Sequence, residues 1–124
     1  MKTFLILALL VALSSAALNY EKVKEHCSKK AGIDVAVIDK AWKDKQFPAV
    51  DGIKEYTLCS LEQLNCINAD GVVSLKSVKE DCESYKKFDC SFFDKCEAEK
   101  GNSALETAAA VYSCVMESYN LCNN

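Results

Sequence analysis

The chain has 124 residues and a formal net charge of −3, from 15 basic residues, all of them lysine, against 18 acidic ones. The lysines are scattered among carboxylates, so the chain lacks the basic stripe that nucleic-acid binding requires. The other unusual counts are eight cysteines and a single histidine, which leave little material for a Ser/His/Asp or Cys/His catalytic centre.

The N-terminus has the features of a secretory signal peptide. A short lysine-containing start precedes an unbroken apolar run over residues 4–13, and small residues then offer cleavage after Ala16 or Ala17. The run has about ten residues, whereas a membrane-spanning helix needs roughly twenty. We therefore predict a leader at 1–17 and a single secreted domain at 18–124, with no membrane span.

Apolar residues in the first half of this domain recur at helical spacing, and strand-type alternation is absent. A first stripe begins at Tyr20 and ends near Gly32. Asp34 is placed to cap a second helix, which stops before Pro48. A third stripe runs from 50 to 64. Three helices are therefore predicted in this half.

The second half continues the pattern after a turn predicted at 68–71. An apolar stripe from 75 to 96 predicts one long helix, or two helices joined near 85–89. Ser103 and Glu106 form a capping-box pattern that predicts the start of the last helix. The whole is an all-α chain of five to six helices.

The cysteines predict a disulfide framework, because an even number in a short secreted chain is typical of one. A zinc site is disfavoured, since the only histidine, His26, stands apart from any close cysteine pair. Seven or eight residues along one helix span more than about 10 Å, too far for a disulfide. Within one helix, Cys59 therefore cannot bond Cys66, nor can Cys114 bond Cys122, so the bridges must join different elements.

Four segments carry a recognisable pattern: 27–33 (CSKKAGI), 53–59 (IKEYTLC), 67–71 (INADG) and 102–114 (NSALETAAAVYSC). In order and spacing they resemble the insect odorant-binding protein superfamily, over essentially the whole domain. The resemblance implies a compact, disulfide-stapled helical bundle around an apolar cavity. It also implies a secreted carrier of small hydrophobic molecules, such as odorants, pheromones or lipid-like compounds.

That family has six cysteines, bridged first to third, second to fifth and fourth to sixth. Here the second falls on Glu55 and the fifth on Leu105, so both partners of one bridge are absent. Their joint absence leaves no orphan thiol and makes the chain similar to the four-cysteine "Minus-C" branch.

The resemblance implies bridges Cys27–Cys59 and Cys96–Cys114, each worth about 3–4 kcal/mol in the chain-entropy model. Four further cysteines depart from that branch and allow three pairings: Cys66, Cys82, Cys90 and Cys122. If the last two helices run antiparallel, the two residue numbers of each bridge between them should add up to nearly the same sum. This favours Cys90–Cys122 and leaves Cys66–Cys82.

The predicted ligand site is an internal cavity lined by apolar and tyrosine side chains. Tyr56, Tyr112 and Tyr119 are candidate polar anchors, because a buried phenol needs a hydrogen-bond partner that a ligand could supply. The full candidate set is Val37, Ile38, Trp42, Ile53, Tyr56, Val73, Val78, Phe88, Phe92, Tyr112, Val115, Met116 and Tyr119.

We expect no enzymatic activity, cofactor, metal or nucleic-acid partner, and a monomer or weak dimer. The alternative function is a secreted structural, defence or interaction protein, with the same scaffold but a filled core. Saturable uptake of an apolar probe distinguishes the two, because a filled core has no space for the probe.

Overall fold

The computed structural model describes residues 19–84 and 89–122, and side chains in those ranges up to residue 119. Over these residues it has six α-helices, no strand and one isolated β-bridge, which confirms the predicted all-α class. The helices are α1 (Tyr20–Ala31), α2 (Val35–Asp44), α3 (Ile53–Gln63), α4 (Lys76–Glu83), α5 (Phe92–Glu97) and α6 (Ala104–Cys122). The predicted leader and the candidate Phe88 lie outside the described residues.

Polar caps and a glycine bound the first two helices. Asn19 Oδ1 accepts a hydrogen bond from the backbone N–H of Lys22 at 3.2 Å. Asp34 Oδ1 accepts one from the backbone N–H of Ala36 at 2.9 Å. Each bond satisfies an amide that a helix leaves unpaired in its first turn. Gly32 ends α1 in the left-handed conformation, with φ 73°. The predicted cap at Asp34 and the predicted end near Gly32 are confirmed.

Gly52 lets the start of α3 lie against the end of α1. It has φ +86°, and a Cβ there would lie 2.5 Å from the carbonyl oxygen of Ala31. Only glycine tolerates both the conformation and the close approach. The helix therefore begins at Ile53, and Val50, which belongs to the predicted stripe, precedes it and is exposed.

The turn predicted at 68–71 is present. Asn68 Oδ1 accepts hydrogen bonds from the backbone N–H groups of Asp70, at 2.9 Å, and Val72, at 3.0 Å. Gly71 supplies a positive φ of 79°. A side-chain acceptor and a left-handed glycine are the local features that such a turn requires.

The apolar stripe from 75 to 96 forms the two helices α4 and α5, which is one of the two predicted alternatives. A disulfide between Cys82 and Cys90 joins the last turn of α4 to the segment before α5, with the Cα atoms 6.0 Å apart. The chain leaves the helix between these cysteines, so the rise that separates them along an ideal helix does not apply.

Half of the predicted capping box is present at the start of α6. Ser103 Oγ accepts a hydrogen bond from the backbone N–H of Glu106 at 3.1 Å. The Glu106 carboxylate instead forms an ion pair with Lys54 of α3, with Nζ to Oε1 at 2.7 Å. The carboxylate thus connects two helices rather than closing its own cap.

The packed core lies where α1 and α6 meet α3. Its most buried side chains, with no exposed surface, include Ile38, Val111 and Met116. The implied bridge Cys27–Cys59 joins α1 to α3, and the implied bridge Cys96–Cys114 joins α5 to α6. Both pairings inferred from the family resemblance are therefore present.

The pairings predicted for the other four cysteines are wrong. Cys90 bonds Cys82 rather than Cys122, and Cys66 is a buried free thiol rather than the partner of Cys82. The prediction assumed that Cys90 lies on a helix antiparallel to α6, whereas it lies in the connection before α5. The side chain of Cys122 is outside the described residues.

Candidate ligand-binding cavity

A cavity of about 1010 Å³ lies among the helices, and all six contribute to its wall. Pockets for small organic ligands measure about 300–1,000 Å³, so this one can hold a ligand of ordinary size. Its lining residues are Tyr20, Glu21, Val23, Lys24, Asp39, Trp42, Tyr56, Ser60, Leu61, Leu64, Cys66, Leu75, Val78, Asp81, Cys82, Phe93, Tyr112, Val115 and Tyr119.

Most of the exposed wall is apolar. Four helices contribute carbon surface to it: Leu61 lies on α3, Val78 on α4, Phe93 on α5 and Val115 on α6. Water in such a space finds few hydrogen-bond partners, so displacing it with an apolar ligand is favourable.

An aromatic cluster forms one part of the wall. The Trp42 ring meets the rings of Tyr112 and Tyr119 edge-on, with centroids 5.8 and 5.6 Å apart. Tyr56 meets Tyr112 in the same way at 5.8 Å. Edge-to-face contacts at these distances are the favourable geometry for aromatic pairs. They hold α2, α3 and α6 together around the cavity.

The polar atoms of this cluster are linked to each other. The Trp42 indole N–H donates a hydrogen bond to the Tyr112 hydroxyl at 3.2 Å. Burial raises the pKa of Tyr112 well above its usual value and also raises the pKa of Tyr56. Both phenols therefore keep their protons at neutral pH, as hydrogen-bond donation to a ligand requires.

Charged residues lie along one side of the cavity. Lys24 Nζ lies 2.6 Å from Asp39 Oδ1 and 3.1 Å from Glu21 Oε2. The hydrogen bond that Lys24 donates to the Asp39 carboxylate is the main cause that raises the pKa of Lys24, against the opposing effect of burial. Nearby, the Tyr20 hydroxyl donates to Asp81 Oδ2 at 2.9 Å and so connects α1 to α4.

Six of the predicted ligand-binding residues line the cavity. They come from four helices and include all three predicted tyrosine anchors. The six are Trp42, Tyr56, Val78, Tyr112, Val115 and Tyr119. The structure thus brings together side chains up to 77 positions apart in the sequence, counting from Trp42 to Tyr119.

Six other candidates lie away from the lining. Three of them are buried in the packed core: Ile38, Ile53 and Met116. The other three are half-buried and pack against the edge of the core: Val37, Val73 and Phe92. The remaining candidate, Phe88, is outside the described residues. Helical spacing identifies an apolar face, but it does not distinguish a face against packed atoms from a face against space.

The lining also contains residues that the sequence reasoning did not select. Tyr20, Val23 and Leu61 belong to recognised helical stripes, so their spacing could have suggested them. Leu64 is the last residue of the third stripe and could have been suggested in the same way, whereas Cys66 follows α3 at a position where no local pattern indicates a cavity. The charged lining residues could not have been found from sequence, because their position depends on how α1, α2 and α4 meet.

A second, smaller depression of about 280 Å³ lies between the start of α4 and α5. Three of its charged side chains are already paired. The Glu97 carboxylate accepts a hydrogen bond from the backbone N–H of Leu75 at 2.7 Å, and Lys79 forms an ion pair with Asp94 at 2.9 Å. The depression is therefore a less suitable ligand site than the cavity.

Over the described ranges, no group of three or more His, Cys, Asp or Glu side chains is arranged to hold a metal ion. In the same part of the chain, no helix combines the length and apolar character that crossing a bilayer requires.

Comparison with known proteins agrees with the all-α fold. The model of the PBP/GOBP family matches residues 13–118. Comparisons with curated proteins and with solved structures found no match. Proteins of the matched family are secreted binding proteins for small hydrophobic ligands rather than enzymes. The family match covers most of the chain, so this protein belongs to the PBP/GOBP family, the insect odorant-binding protein family.

Proposed function

We propose that this protein is a secreted carrier that binds one small hydrophobic molecule in the cavity described above. The observation that carries the proposal is an apolar-walled space of about 1010 Å³ inside a member of a family of odorant and pheromone carriers. A mechanism of passive sequestration needs only this space and a means of exchanging its contents with solvent.

The cavity-lining residues divide by the contacts they offer. Val78 of α4 and Val115 of α6 offer carbon surface, and Trp42 offers an aromatic face. Tyr56 and Tyr112 offer hydroxyl groups to the oxygen of a ligand. We propose these residues, rather than the core residues Ile38 and Met116 of the sequence-based set, as the ligand contacts.

An affinity in the micromolar range or weaker is the expected result of this arrangement. A ligand that buries about 300 Å² of apolar surface gains roughly 7 kcal/mol at 25 cal/mol per Å². The loss of translational and rotational freedom opposes binding, and a hydrogen bond to a phenol adds a smaller favourable contribution. A dissociation constant near 1 µM corresponds to about −8 kcal/mol.

Fluorescence titration with N-phenyl-1-naphthylamine tests the proposal. We expect saturable binding with one site per chain. Val115→Trp places extra bulk in the cavity and should weaken probe binding about fivefold or more, since well-packed sites do not absorb added volume freely. Val72→Trp is the matched control, because Val72 is 61% exposed and away from the lining.

The alternative is a secreted interaction or defence protein with a filled core. It predicts no saturable probe uptake and equal behaviour of the two tryptophan variants. That outcome would reject the carrier function while leaving the fold and the family membership unchanged.

The processing and the branch are also proposals. We propose that residues 1–17 are removed as a leader and that 18–124 form the mature domain. The N-terminal sequence of protein secreted by insect cells tests this directly. We further propose a place in the four-cysteine branch, supported by the two implied bridges and by Glu55 and Leu105 at the positions of the missing pair.

A further inference from the structure

The described residues that line the cavity carry an unbalanced charge. Three carboxylates, those of Glu21, Asp39 and Asp81, stand against one ammonium, that of Lys24, which leaves a net charge of −2. A charge at the boundary of a poorly hydrated space acts on a ligand more strongly than the same charge on an open surface.

The single cation is already engaged. Lys24 Nζ contacts Asp39 Oδ1 at 2.6 Å and Glu21 Oε2 at 3.1 Å, and its side chain is only 18% exposed. A ligand carboxylate approaching Lys24 would have to displace one of these carboxylates or remain beside both. Either outcome is unfavourable, because like charges repel and a displaced ion pair loses its hydrogen bonds.

The neutral polar groups inside the cavity suit an acceptor instead. The Trp42 indole donates to the Tyr112 hydroxyl, and the Tyr112 ring meets the Tyr56 ring edge-on. The nearby Ser60 hydroxyl donates to the carbonyl oxygen of Tyr56 at 2.9 Å. Tyr56 and Tyr112 both line the cavity, and each phenol has an O–H that can donate to a carbonyl, ester or ether oxygen.

We infer that the cavity selects an uncharged amphiphile bearing a hydrogen-bond acceptor over the carboxylate of the same chain length, with the Glu21–Lys24–Asp39 cluster as the specificity determinant. The inference rests on the proposed carrier function and names the ligand class of the same cavity. Lys24 would favour a ligand carboxylate only if it were freed from the carboxylates of Glu21 and Asp39.

Competition between two ligands of matched length tests the inference. Methyl dodecanoate and dodecanoate differ in charge at pH 8 but little in size, and each displaces N-phenyl-1-naphthylamine if it binds. We expect the ester to bind more tightly to the unaltered protein. Any apolar cavity disfavours a carboxylate to some degree, because burying a charge costs free energy, so the preference by itself does not decide the question.

The decisive measurement is the change in the carboxylate-to-ester affinity ratio when the cluster is altered. Glu21→Gln with Asp39→Asn frees Lys24 and should raise this ratio about tenfold, the scale expected for a nearby unit charge at a partly buried site. Lys24→Met should lower the ratio. Asp51→Asn with Glu99→Gln is the control, because it changes the net charge equally at exposed positions outside the lining.

The outcomes are separable. An unchanged ratio in the Glu21/Asp39 variant, or an equal rise in the Asp51/Glu99 control, would overturn the inference while the carrier function stands. Failure of both ligands to displace the probe would overturn the carrier function itself. Thermal unfolding shows whether each variant is folded. If the double variant does not fold, the milder single variant Asp39→Asn replaces it. In the single variant a rise of about threefold is expected, and no rise would again reject the inference.

Discussion

The wall of the cavity formed by α3 and α6 is held differently from the wall formed by α4. Helix α3 packs along α6 and against α1, and the Cys27–Cys59 bridge ties it to α1. Helix α4 has no comparably extensive contact with another described helix. It is connected instead through the Cys82–Cys90 disulfide and through side-chain contacts with α1 and α5.

The contacts that position α4 are individually weak. Lys79 pairs with Asp94 of α5 at 2.9 Å, and Asp81 accepts a hydrogen bond from Tyr20 of α1 at 2.9 Å. Exposed ion pairs contribute about 0–1 kcal/mol, and a single hydrogen bond contributes about 1 kcal/mol. The wall formed by α3 and α6 is therefore part of the folding core, whereas α4 is a lightly held cover over the cavity. We expect α4 to be displaced first when a ligand enters or leaves.

The largest expected difference between the two walls concerns their disulfides. Cys27→Ala with Cys59→Ala opens a link between residues 32 apart, whereas Cys82→Ala with Cys90→Ala opens one between residues 8 apart. The chain-entropy model predicts losses of about 4 and about 2.5 kcal/mol in the free energy of unfolding. Guanidinium denaturation measures both. Equal losses would contradict the dependence on loop length and would mean that the Cys82–Cys90 bridge stabilises the folded state more than its short loop predicts.

A smaller difference is expected for the same side-chain change in each wall. Val111 of α6 has no exposed surface, whereas Val78 of α4 is 8% exposed and borders the cavity. Val111→Ala should lower the free energy of unfolding by about 2.5 kcal/mol and Val78→Ala by about 1 kcal/mol, because only the first opens a new void among packed atoms. Urea denaturation of the two variants makes the comparison. A larger loss for Val78→Ala would place α4 in the folding core.

The smallest expected effect is a change in tyrosine ionisation at alkaline pH, which tests only the wall formed by α3 and α6. Burial raises the pKa of Tyr56 on α3 and of Tyr112 on α6 above the usual 10.0. The contribution of these neutral phenols to stability is therefore intact below pH 10 and is lost as the pH rises through their raised values. Absorbance at 295 nm should detect fewer phenolates at pH 10.5 in the folded protein than in guanidinium. Equal numbers would mean that this wall opens to solvent readily.

Much of the fold could be predicted because its signals are local. Asp34 caps α2 through an amide two residues away, and Asn68 and Gly71 form their turn within a few residues. The candidate site could be predicted only in part. Ile38 and Trp42 lie one helical turn apart on α2 and were equal candidates, yet Ile38 is in the core and Trp42 lines the cavity.

The sequence by itself determined the helical class, most helix ends and the family, since caps, turns and cysteine spacing depend on neighbouring residues. Only the tertiary structure decided which cysteine bonds Cys90, that Cys66 is a free thiol and that Lys24 pairs with Asp39 at the cavity. The reason is physical. Helical periodicity specifies which face of a helix is buried, whereas the angle and distance between helices decide whether that face meets packed atoms, an ion pair or an open space.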